Sequence, residues 1–308
     1  MLRYLMHILL DEWVYQQYNV GRKMTADRTC QWHAIDDWWE QASISNTETV
    51  VGLQALFETL NEYWCDSPAC FDRDPLCAEW SDDGPLRTAQ EENWSQWLAH
   101  LCNTAPSSFI TDLFGVSTTE SPTRVQCEVP LNSDKTHDRR ADILIQYPDT
   151  GISIEVKIDD ENYAKTPDTA RLIEHHDQRR TWDHYLLLPA TNHEALRATT
   201  GPQLDDRETR SILRGMQPDE PDVTVLYWRD ISRSLRQTLL TDATATPHWQ
   251  ASAYSLITII ETVLCRFAPA PLITNAVSGT TGFAKQTRLR NTPLTEQYAY
   301  LTAIHTNE

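Results

Sequence analysis

The sequence predicts an α/β protein: a central mixed β-sheet flanked by helices, with a helical extension on its N-terminal side. Three observations carry that expectation. Residues 140–158 alternate apolar and polar side chains on both sides of a turn, the pattern of a β-hairpin. Short apolar runs at 124–130, 184–189 and 223–228 have strand length and are separated by helix-length segments. Those intervening segments place apolar residues three and four apart, the spacing of an amphipathic helix.

In chain order, Leu2, Leu5, Leu9, Trp13 and Gln17 step along one helical face, and Trp32–Trp39 and Val50–Trp64 give two more amphipathic runs. Residues 65–89 form a loop rich in Asp, Pro and Cys. Cys65, Cys70 and Cys77, with Cys30 and His33, are thiol and imidazole groups of the kind that bind zinc, but no paired C-x2-C knuckle is present. Gln90–Cys102 is a helix with Glu91 and Glu92 in its first turn, where acids complement the helix dipole. Pro106–Gly115 adds a helical turn or two, Arg124–Pro130 a strand, Thr169–Trp182 a helix and His184–Pro189 a buried strand. Residues 190–222 are polar and are expected to include a helix with Arg207, Arg210 and Arg214 on one face. Val223–Trp228 is a strand, and the next helix repeats the arrangement with Arg229, Arg233 and Arg236. His248–Arg266 is an apolar helix. A basic loop around Lys285, Arg288 and Arg290 leads to a last helix at Leu294–Ile304. The domain reading is a helical extension over 1–89, the sheet domain over 90–265 and a tail over 266–308.

Composition bounds the function. The chain is 40% hydrophobic with 11 Trp, enough apolar surface for a buried core. Its formal net charge of −18 repels nucleic acid at long range, so a nucleic-acid enzyme of this composition needs local basic surfaces. The basic residues are 21 Arg against 5 Lys, and Arg is the better bidentate phosphate partner. No stretch reads as a signal peptide or membrane span: the apolar start runs directly into Asp11 and Glu12, and 254–265 is short and carries Glu261. Seven cysteines without a secretion signal point to reduced thiols and a cytoplasmic protein.

The hairpin is where chemistry concentrates. Ile143 and Ile145 face one way and Asp142, Leu144 and Gln146 the other. After the turn Tyr147-Pro-Asp-Thr-Gly151, Ile152, Ile154, Val156 and Ile158 form an apolar face, with Ser153, Glu155 and Lys157 opposite. Antiparallel pairing brings Asp142 to Glu155 and Lys157. Two carboxylates, with the Val156 carbonyl between them, are hard oxygen donors suited to Mg²⁺ or Mn²⁺. Such an ion lowers the pKa of a bound water, and Lys157 can position or help deprotonate it. The same three side chains would also make an ordinary cross-strand salt bridge.

Ala141-Asp142 followed by Glu155-Val156-Lys157, on successive strands after a helix, resembles the PD-(D/E)XK nuclease superfamily, with Ala141 where that family usually has Pro. The resemblance covers roughly residues 90–230. It implies a restriction-endonuclease-like core and metal-dependent hydrolysis of phosphodiester bonds in nucleic acid, DNA more than RNA, in restriction, phage defence or repair. It assigns the metal to Asp142, Glu155 and Val156, and catalysis to those acids with Lys157. It also suggests a metal-reaching Glu on the first helix, Glu91 or else Glu92, and a Gln on the second helix, Gln178, with His175 and His176 nearby. The alternative is an inactive module of the same fold that binds nucleic acid or a protein partner. The N-terminal helices offer a surface for such a partner.

Overall fold

The computed structural model describes residues 48–78, 88, 90–115, 121–131, 139–207, 210–277 and 292–306. The helices expected before residue 48, Cys30, His33 and the basic run Lys285, Arg288 and Arg290 lie outside the described residues. Residues 48–308 make one compact unit.

Helix α1 (48–66) and the loop after it precede α2 (Glu91–Asn103) and α3 (Ser107–Phe114). Strands β1 (Arg124–Leu131), β2 (Arg139–Gln146) and β3 (Thr150–Val156) follow, then α4 (Thr166–His176) and β4 (Thr181–Leu188). Helix α5 (His193–Thr200) leads to the two-residue strands β5 (Leu204–Asp205) and β6 (Ile212–Leu213), and then to β7 (Val223–Tyr227). The chain continues through α6 (Trp228–Thr241), α7 (Pro247–Ile259), α8 (Ala270–Val277) and α9 (Leu294–Thr306).

The strands form a seven-stranded mixed sheet ordered β1-β2-β3-β4-β7-β6-β5. Pairing is antiparallel from β1 to β3, parallel across β3, β4 and β7, and antiparallel again to the edge. The carboxyl ends of β3, β4 and β7 therefore stand side by side. Both faces are covered. Ile143, Ile145, Ile152, Ile154 and Val156 pack with Trp94, Leu98, Phe109, Trp228 and Leu235 of α2, α3 and α6. On the other face Leu144 meets Ile173 and Trp182, and Leu186 and Leu188 meet Ala170 and Leu196. The expected hairpin with one greasy and one chemical face is thus a hairpin buried on both faces, with α4 laid over the second. Short apolar strands shared by two helical layers read this way because both sides must be kept from water.

The hairpin turn is where the sequence placed it, closed by the Tyr147 amide donating to the Thr150 carbonyl at 2.9 Å. Gly151, the last residue of that turn by sequence, has its backbone in β3 opposite Gln146, and an added Cβ would stand 2.6 Å from the Trp182 ring. Glycine is needed there for space. The helix within 190–222 is α5, His193–Thr200, which carries none of Arg207, Arg210 and Arg214, and the described residues of 207–214 are not helical. Arg207 pairs with Asp205, and Arg214 bridges Asp205 and Asp222, so acids that a periodicity argument ignores hold the segment as a small sheet edge.

The described parts of the two flanking segments meet. Val50, Leu53, Phe57 and Leu60 of α1 pack with Phe267, Leu272, Leu301 and Ile304. Beneath them Arg236 of α6, fully buried, is clasped by Asp74 and Glu261, with its Nε and Nη2 each 2.6 Å from Glu261 oxygens. Among the described residues no helix is long and apolar enough to cross a membrane.

Candidate functional site

The β2–β3 ladder is paired from Gln146↔Gly151 to Ile143↔Ile154 and opens beyond it. At the opening the Asp142 carboxylate accepts the Val156 amide at 2.7 Å through Oδ2. On the other side, the β1–β2 register runs through Cys127↔Ile143 and Val129↔Ala141, skipping Glu128, whose φ is 52°. The β1–β2 pairing is thus interrupted at Glu128 and Asp142. Ala141 and Leu144, three residues apart, consequently fall in one buried cluster, which strict alternation forbids.

Glu155 sits at the carboxyl end of β3, half-buried, with its Oε1 3.2 Å from Lys157 Nζ. Lys157 Nζ is also 3.3 Å from Asp160 Oδ2. Asp160, in the acidic stretch that follows β3, is therefore part of the site. Glu91 reaches it from the first turn of α2: its Oε1 accepts the Ile158 amide at 2.6 Å and the Asp159 amide at 3.3 Å. Asp142, Glu155, Lys157 and Glu91 thus gather at one end of β3. Glu92 has no such bond to that loop among the described residues.

Burial pushes both acids up, and their mutual repulsion adds to it for Asp142, whose carboxyl is pushed up to about 8. Glu155 is raised by burial against the opposing pull of Lys157 and Arg139. Burial disfavours the Lys157 charge, yet Glu155, Asp142 and Glu91 outweigh it and hold the ammonium above its ordinary range. Each acid is held through one oxygen, Asp142 Oδ2 and Glu155 Oε1, and its second oxygen has no hydrogen bond among the described residues. Among the described residues no three His, Cys, Asp or Glu side chains converge as a complete metal cage. Two carboxylates suit an ion that takes its other ligands from water and phosphate, the habit of Mg²⁺.

Sequence reasoning missed what lies behind the acids. Ser153, two residues before Glu155, shares a 2.6 Å hydrogen bond with His184 Nδ1. These two, with Asp142, Glu155, Thr166 and Thr169, line a cavity of about 10 Å³, room for about one water. Burial depresses His184 to about 4, so it is neutral; its Nε2 lies 3.5 Å from Glu174 Oε1 and, like Thr166 Oγ1, is buried without a hydrogen bond among the described residues. Period 2 along β3 already puts Ser153 on the face of Glu155, without giving it a role; nothing local would have flagged His184, which arrives from β4 through parallel pairing.

Gln178 does not join the site. The helix expected to carry it ends at His176, and Gln178 is exposed in the turn before β4. That turn lies beside Thr150, whose partner is Thr181, five residues or roughly 16 Å down the strand from Glu155. His175 and His176 are exposed at the same remote end. The arginine face of α6 is also corrected. Arg236 is spent in the buried ion triad, Arg233 lies over the Tyr300 ring, and Arg229 pairs with Glu296 at 3.1 Å. Cys65 and Cys70 are exposed and Cys77 is half-buried.

The fold and site together define an α/β protein with an acid–acid–lysine cluster at the carboxyl end of a central strand. No protein family, characterised protein or solved structure matches the chain.

Proposed function

We propose that the chain is a metal-dependent nuclease that hydrolyses phosphodiester bonds in nucleic acid, DNA more than RNA, on a restriction-endonuclease-like core. The observation that carries this reading is the gathering of Asp142, Glu155, Lys157 and Glu91 where the β2–β3 ladder opens. The order helix, three antiparallel-paired strands, crossover helix, parallel strand supports it, because it delivers the acids on the second and third strands.

In this reading Asp142 and Glu155 hold a Mg²⁺ or Mn²⁺ ion, which supplies an activated water and charge neutralisation. Asp142 also accepts the Val156 amide and so fixes the backbone next to Glu155. Glu91 orders residues 158–160 through their amides, which keeps Asp160 and Lys157 in place. Lys157, whose ammonium the neighbouring acids favour, would orient the attacking water and face the charge that develops on the phosphate.

The test is direct. Supercoiled plasmid, linear duplex, single-stranded DNA and single-stranded RNA are incubated with the protein in Mg²⁺, Mn²⁺ or EDTA. Cutting of at least one DNA substrate that EDTA abolishes is expected. Intact substrates throughout, in both metals, would overturn the reading.

A pH signature follows from the acids. Folding raises the Asp142 carboxyl from 3.8 to about 8. Between those values the folded chain without a cation binds more protons than the unfolded one, so its stability falls as pH rises through that window. A divalent ion takes the place of the proton. The rise in Tm on adding Mg²⁺ should therefore be larger at pH 8 than at pH 5, measured by thermal melting at fixed ionic strength. An equal rise at both pH values contradicts metal binding at these acids.

A further inference from the structure

The acids occupy the carboxyl end of β3 alone. Beyond the ends of β4 and β7 opens a groove of about 580 Å³, lined by His193, Tyr227, Trp228, Arg229 and Arg266 together with Glu194 and Glu296. We infer that this groove holds the substrate strand on one side of the scissile phosphate, binding one nucleotide through Arg266, Arg229 and the Tyr227 ring. The inference rests on the nuclease reading for its substrate class, and on the groove itself for its place.

Position is the first argument. β7 stands two strand spacings from β3, roughly 10 Å, close enough for one strand to touch both sites. The connection is direct: Lys157 donates its amide to Leu187, and Asn192, next to His193, donates its side-chain amide to the Ile158 carbonyl at 2.9 Å. Ligands of open α/β sheets sit at these strand ends.

Charge is the second. In a chain of net charge −18, most described arginines are tied to carboxylates, among them Arg139, Arg171, Arg180, Arg197, Arg214 and Arg236. Of the two groove acids, Glu194 pairs with Arg197 and Glu296 with Arg229. Arg266 is exposed and has no acidic partner among the described residues. The groove thus keeps one uncompensated cation, and a second whose acidic partner a phosphate can replace.

Strain is the third. Among the described residues two non-glycine positions have left-handed backbone: Glu128, beside Asp142, and Arg266, with φ 57°. The turn that holds Arg266 is fixed by the Cys265 amide to Ile260 and the Phe267 amide to Glu261. Backbone strain of this kind collects where a side chain must be aimed.

The last argument is the surface offered to a base. Arg229 lies over the Tyr227 ring at 5.2 Å, and Tyr227 is held by its hydroxyl 2.6 Å from His193 Nδ1, with His193 Nε2 3.6 Å from Asp206. An oriented ring beside guanidinium groups is how single strands are gripped without sequence readout.

The experiment reads affinity apart from cutting. A fluorescein-labelled ten-nucleotide DNA strand is titrated with wild type, Arg266→Gly and Arg229→Gln in Ca²⁺, by anisotropy at several salt concentrations. Glycine suits the left-handed backbone, so Arg266→Gly is expected to melt no lower than wild type. Each variant should bind about tenfold more weakly, with the salt slope reduced by about one for the lost phosphate contact. Affinities within twofold of wild type and unchanged slopes would overturn the groove, as would a wild type that does not bind the strand. A wild type that binds with the expected variant losses, but never cuts in Mg²⁺, removes the catalytic reading and leaves the groove standing.

Discussion

Lys157→Ala is expected to reduce cleavage by at least about a hundredfold while the fold and most of the Mg²⁺ affinity persist. Lys157 cannot ligate an ion while protonated, and the surrounding acids keep it protonated. Its contribution is therefore electrostatic: it holds Glu155 from 3.2 Å, ties Asp160 into the site and places a cation where negative charge develops. Groups that stabilise developing charge in this manner contribute about 3 kcal/mol. Glu155→Ala should behave differently, losing an ion ligand and with it both rate and Mg²⁺ affinity. Cleavage rates and Mg²⁺ titrations of wild type and both variants separate the two roles. A Lys157→Ala protein that cuts as fast as wild type would reduce Lys157 to a salt-bridge residue.

Arg236→Leu is expected to cost about 3–5 kcal/mol of stability, because it leaves Asp74 and Glu261 buried and facing one another without their cation. The triad is fully enclosed. Trp64 Nε1 and the Leu76 amide also donate to Asp74, and Ser232 and Tyr300 hydroxyls to Glu261, so one arginine organises α1, α6, α9 and the Asp74 loop. Arg233→Leu on the same helix, which gives up only a partly solvated contact with the Tyr300 ring, should cost far less. Chemical denaturation of both variants measures the difference; equal midpoints would show that the triad is held by packing alone.

These two lysine and arginine cases also mark what local sequence can say. Lys157 was legible because strand periodicity puts residues i and i+2 on one face, and the face opposite was already committed to isoleucines. Glu91 was legible as a helix-start acid two strands upstream, although its actual contacts are to backbone amides. Arg229, Arg233 and Arg236 were equally regular, yet helical spacing reports a shared face and is silent on what packs against it. The structure puts an acid, a tyrosine ring and a buried ion triad there. Gln178 failed because the helix ended two residues before it, sending the side chain to the wrong end of β4.

The sequence by itself determined the local elements: the hairpin, its turn, the buried strands, the helices on either side, and the acids and amine placed at strand spacing. Those follow from short-range sterics and from the need to hide apolar side chains with period 2 or 3.6. Only the tertiary structure decided that the hairpin is buried on both faces, that His184 backs Ser153, and that three strand ends align into a site and a groove. Parallel pairing joins residues about thirty positions apart, and no local pattern encodes which strand becomes the neighbour.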